Sequence, residues 1–124
     1  MTDAPIQVEV RTQYLGEQSR PDKNHFAFAY HITIANRGAE PWTLISRHWI
    51  IVDGDNKRQE VRGDGVVGAQ PTIAPGDHYS YTSGVVLATP VGTMEGSYHF
   101  VGDGGQTLDA PITPFLLAVP GSIN

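Results

Sequence analysis

The chain has 124 residues, with eight basic residues against thirteen acidic ones and no cysteine. At this length a single domain over residues 1–124 is the expectation, with a core able to stand without disulfides, and thiolate chemistry and cysteine-ligated zinc are excluded. Every Lys and Arg lies at or before Arg62, so the second half alone has no cation with which to hold phosphate or nucleic acid.

The opening MTDAPIQVEV has no basic or apolar leader-like region, and no apolar run approaches the ~18 residues that span a bilayer. The expectation is a cytoplasmic protein with no membrane contact. Ile6, Val8 and Val10 alternate with polar residues and predict a half-buried strand. Gly16–Lys23 reads as a loop open to disorder. Phe26–Ala35 alternates again and predicts a long central strand, with Phe28, Tyr30 and Ile32 inward and Ala27, Ala29 and Thr33 on the other face. Trp42–Asp53 is rich in aromatic and branched residues, but its alternation blurs at Trp49–Val52, as a bulge or two-sided burial would cause. Asp53-Gly54-Asp55-Asn56 begins like a calcium loop, but Lys57 and Arg58 stand where that loop needs an oxygen donor and a glycine, so it reads as a hairpin turn into Lys57–Arg62.

Gly63, Gly65 and Gly68 then spell G-x-G-x-x-G, the spacing of a dinucleotide loop. Such a loop works by opening a helix whose N-terminus faces the pyrophosphate. Pro71 and Pro75 forbid a regular helix here, and no acidic residue lies within 85–91 to hold a ribose. The motif therefore reads as structural, with positive φ expected at one or more of the three glycines. Further strands are predicted within Asp77–Val86, within Met94–Val101 with Tyr98 inward, and within Gln106–Val119, the last an edge strand broken or bulged at Pro111 and Pro114. Seven to nine short antiparallel strands make an all-β sandwich of the immunoglobulin or fibronectin-III kind.

LISRHWIIVDGDN (44–56), VRGDGVVGAQPTIAPG (61–76), YTSG (81–84), GTMEGSYHF (92–100) and PITPFLLAVP (111–120) together resemble the ApaG family over nearly the whole chain. The resemblance implies the same sandwich. It also implies a small bacterial protein often encoded beside a diadenosine tetraphosphatase, linked by name to cobalt and magnesium efflux. In eukaryotes the domain is appended to F-box and DNA-polymerase-delta-interacting proteins, where it looks like an interaction module. The family has no established catalytic residues to carry over.

Nothing in the residues contradicts a non-enzymatic role. The five histidines form no H-x-H or H-x-x-x-H. His31 and His99 are expected to face outward, where they could meet across strands. Ser46 and His48 share a strand face, but no carboxylate can be placed to complete a triad. Arg47, His48 and Trp49 form the candidate interaction surface, since Arg and Trp are enriched at contact hot spots; the competing reading, which is the preferred one, has Trp49 in the core and Arg47 snorkelling away from it. The expected function is protein interaction through sheet edges and loops, with no cofactor and no nucleic-acid partner. The alternative is a binder of divalent cations or pyrophosphate-containing nucleotides.

Overall fold

The alternating segments become eight strands in the computed structural model, which describes residues 4–122. They are β1 (Ile6–Tyr14), β2 (Phe26–Asn36), β3 (Trp42–Asp53), β4 (Arg58–Asp64), β5 (Thr72–Ile73), β6 (His78–Leu87), β7 (Val91–Gly102) and β8 (Thr107–Ala118). Two antiparallel sheets form: β1-β2-β6, and β4-β3-β7-β8 with the short β5 on β3. This is the β-sandwich the alternation predicts. Gly16–Lys23, expected as a loop, contains two 3-10 turns.

Phe28, Tyr30, Ile32 and Tyr98 point into the core as expected. Ala27 and Ala29 face the other way and are buried there too. Beside Ala27, the Leu15 N–H donates to its carbonyl and its own N–H donates to Ser19 Oγ.

Both irregular strands are bulged. Leu44 pairs with Phe100 and Ser46 with His99, so Ile45 is the extra residue of β3. Met94 pairs with Phe115 and Gly96 with Ile112, which puts the β8 bulge at Thr113–Pro114, where the prolines predict it. The blurred stretch of β3 itself is regular: Trp49 and Ile51 are buried while Ile50 and Val52 are half-buried on the outer face.

The two sheets are joined by aromatic residues. Trp49 packs edge-on to Tyr30, Tyr98 and Phe115, at centroid distances of 5.4, 6.2 and 5.9 Å. Tyr81 of β6 and Tyr98 of β7 share a hydroxyl hydrogen bond across the core, and burial keeps both phenols protonated well above the usual tyrosine range. Asn36, fully buried, donates from Nδ2 to the carbonyls of Glu40 and Ile73 and accepts from the Gly38 N–H. It fastens the β2–β3 turn to the segment ahead of β6.

Candidate functional site

The Ile45 bulge resets the alternation of β3, so Arg47 points inward together with Trp49. Trp49 is only 2% exposed, which corrects its place on the candidate surface: it is a core residue. Arg47 cannot stay in apolar surroundings, and its guanidinium escapes sideways over β4. Nη1 donates to the carbonyls of Asp64 and Gly65, both at 3.0 Å. Arg47 lies opposite Gly63, and a Cβ at Gly63 would stand 2.7–2.9 Å from the guanidinium atoms. Gly63 is thus the seat of Arg47.

The rest of the glycine motif is fixed by backbone geometry. Gly65 has φ +62, donates to the Ile45 carbonyl, and leaves no room for a Cβ, which would fall 2.3 Å from the Ala69 oxygen. Val66 is buried, and its N–H and carbonyl bond the carbonyl and N–H of Ala69. Between them lie Val67 (φ +47) and Gly68 (φ +78). Two central residues at positive φ are what a type I′ turn requires. Gly68 suits that place, whereas a β-branched residue there is strained. Val67 is also 65% exposed. The Gln70 amide and the Gly65 N–H both reach the bulged Ile45 carbonyl. So the bulge of β3 holds the loop, the amides of Gly65, Val66 and Ala69 are all bonded internally, and strand β5 comes next, where a dinucleotide loop opens a helix.

His48, unlike Trp49, faces outward. Its Nε2 lies 3.2 Å from Glu60, which also accepts from Arg58 at 2.8 Å and approaches Arg62 at 3.5 Å. The hydrogen bond from His48, helped by Arg58, holds the Glu60 carboxyl below the usual carboxylate range. The sequence contains a second Ser-x-His, at Ser97-Tyr98-His99. The β3–β7 register crosses the two: Ser46 lies opposite His99, and His48 opposite Ser97. His99 Nδ1 in turn lies 2.8 Å from Asp109 on β8. The carboxylates that sequence reasoning could not place are therefore Glu60 and Asp109. The repeated Ser-x-His was the available signal, but only the register reveals the crossing. The two rings lean to opposite sides, toward β4 and β8, and among the described residues neither serine hydroxyl bonds a ring nitrogen. No nucleophile is activated in this arrangement. His31 sits on the outer face of the other sheet, bonded to Thr82, so it does not meet His99.

A family model described as "ApaG domain" matches residues 16–102. The chain is 59% identical to the protein named "Protein ApaG" of Pseudomonas aeruginosa (strain LESB58) over 126 aligned positions covering 100% of both chains. It is 55% identical to the one of Azotobacter vinelandii, covering 96% of this chain and 94% of that one. A crystal structure from Bordetella pertussis superposes with a TM-score of 0.91 at 51% identity, covering 94% of this chain and 95% of that chain.

Proposed function

The chain belongs to the ApaG family, and from that premise we propose that it is a non-enzymatic cytoplasmic module that binds another protein through its loops and sheet edges. The observation that carries this reading is Val67. Scattered exposed apolar residues are ordinary, and Val86 and Leu116 are of that kind. Val67 differs in being exposed, β-branched and held at positive φ by the bonds of its neighbours. Strain kept on an exposed apolar tip suits a contact residue, because the surrounding structure spends stability to present it. The occupied amides of the glycine loop weigh against the nucleotide alternative, and the outward-leaning rings of His48 and His99 weigh against a shared cation.

The test is Val67→Gly beside Val67→Asp. Both are compatible with the turn, and Val67→Gly is expected to raise stability by about 1 kcal/mol as the left-handed penalty disappears. Both are expected to abolish capture of the partner by a photo-crosslinker placed at Gln70. Unchanged capture with Val67, Val86 and Leu116 all replaced by Asp would overturn the reading.

A further inference from the structure

Besides the two-residue β5, four strands end the two sheets, and three of them carry the usual defences against pairing with a foreign strand. Glu9 and Arg11 lie on β1, four charged residues lie on β4, and Asp109, Pro111 and Pro114 lie on β8. The sequence of β6, HYSYTSGVVL, has no proline and no Asp, Glu, Lys or Arg.

The free side of β6 is open for hydrogen bonding. The Asn36 N–H donates to the Asp77 carbonyl, which sets the phase of the β2–β6 ladder. Residues alternate between facing the partner strand and facing away. In the observed register Tyr79, Tyr81, Ser83, Val85 and Leu87 bond β2, and Ser80, Thr82, Gly84 and Val86 direct N–H and C=O outward. Among the described residues no other hydrogen bond reaches those four backbones.

A cleft also opens at the Leu87 end of this edge. Contacts across the core run from β1 to β8, from Tyr30 of β2 to Trp49 and Phe115, and from Tyr81 of β6 to Tyr98. At the far edge β4 pairs with β3, and its Arg58 lies across the cleft from Val86 and Leu87 of β6. The cleft, of about 250 Å³, lies between the two edges, with Ile51, Asp53, Lys57, Arg58, Val86 and Leu87 among its lining residues. The Asp53 carboxylate in this lining accepts from the Asp55 and Lys57 N–H groups, and the Lys57 ammonium forms no ion pair among the described residues, which leaves it free for an acidic group at the Leu87 end of the cleft.

We propose that the free edge of β6 accepts an extended segment of a partner protein as a fourth strand of its sheet. The segment spans about seven residues, from Ser80 to Val86, with alternate branched or aromatic side chains turned toward β4. It carries an acidic residue opposite Val86, within reach of Lys57. This rests on the interaction-module reading and names its partner class.

The probe is a random decapeptide library selected against the full-length protein. Enriched peptides are expected to alternate apolar residues and to end in Asp or Glu. They are expected to slow amide hydrogen exchange at Ser80, Thr82, Gly84 and Val86, whose neighbours are already protected by β2. Thr82→Pro removes one outward N–H without touching the β2 ladder and is expected to weaken binding about ten-fold or more. Thr82→Lys puts a charge on the edge, and is the control should the proline variant fail to fold. Lys57→Gln is expected to abolish the acidic preference alone. Peptides that protect the Val66–Ala69 turn or β1 instead would overturn the edge and leave the interaction reading standing. Protection of β6 by rising protein concentration without peptide would overturn the partner peptide in favour of a second copy of the chain. A library yielding no binder, with β6 exchanging freely at every concentration, would also overturn the proposal, while the Val67 capture experiment decides the broader reading separately.

Discussion

The aromatic centre and the glycine loop hang from the same strand, β3, a few residues apart, and they are held in different ways. Trp49 is surrounded by rings from three other strands. The loop depends on one guanidinium, one bulged carbonyl and two left-handed glycines. In the centre any well-fitting apolar volume serves in part; in the loop the requirement is for particular atoms. The centre should therefore lose stability in proportion to volume removed, and the loop in steps, as individual contacts break.

The largest effect belongs to the centre. Trp49→Ala is expected to cost about 3–5 kcal/mol, and Phe28→Ala a similar amount, read as a fall in the denaturation midpoint with unchanged slope. A loss below about 1 kcal/mol at either site would mean that the sandwich does not depend on its aromatic core.

In the loop, the glycines separate the two causes. Gly65→Ala must bear a left-handed backbone and a collision with the Ala69 backbone, and is expected to cost about 2 kcal/mol or more. Gly68→Ala meets open space and bears the φ penalty alone, about 1 kcal/mol. Equal losses at the two positions would show that crowding at Gly65 is relieved elsewhere.

This difference also explains how much was legible in the sequence. Period-2 alternation placed Phe28, Tyr30, Ile32 and Tyr98 correctly, because burial of one face is a property of a whole strand. It could not decide between Trp49 in the core and Trp49 at the surface, because the answer depends on a one-residue bulge at Ile45 that shifts the phase of the remaining residues of β3. The prolines at 71 and 75 were enough to argue against a helix after the glycines, and positive φ was legible as an expectation. That Gly63 is a glycine because Arg47 lies on it was not legible, since it joins residues sixteen positions apart through a strand pairing. The crossed Ser-x-His pairs and the bare edge of β6 likewise exist only once strand order is known.

A smaller and sharper test concerns Arg47 and Gly63. Arg47→Ala frees two carbonyls and is expected to cost about 1–2 kcal/mol. Gly63→Ala forces the guanidinium off the same carbonyls, so its loss should be of like size and for the same reason. Two residues serving one contact are not additive. The double variant is expected to be little worse than either single one. Arg47→Lys should recover only part of the loss, because the lysine ammonium ends one bond short of Nη1, the single nitrogen that reaches both carbonyls. Additive losses would mean that Gly63 is required for something other than seating Arg47.

The smallest expected effect lies outside both regions, on the exposed face of β4, and it is a matter of pH. Glu60 is hydrogen-bonded to His48, with Arg58 and Arg62 beside it, and its carboxyl is held below the ordinary glutamate value. A carboxyl whose folded-state value is depressed binds its proton less readily in the folded chain than in the unfolded one. Its stabilising contribution is therefore present above the unfolded value and fades as pH falls through the folded value. Glu60→Gln should leave acid unfolding slightly less steep below about pH 4.5, while the midpoint at neutral pH moves little, since the side chain lies at the solvent-exposed surface and such pairs contribute little. The effect should shrink further in high salt. His48→Gln should reproduce most of the acid-side change, because the His48 hydrogen bond is the largest cause of the shift. If the acid limb of the wild-type chain and of Glu60→Gln superimpose, the Glu60 cluster adds nothing to folding, and the difference between the two regions of β3 stands without any contribution from its outer face.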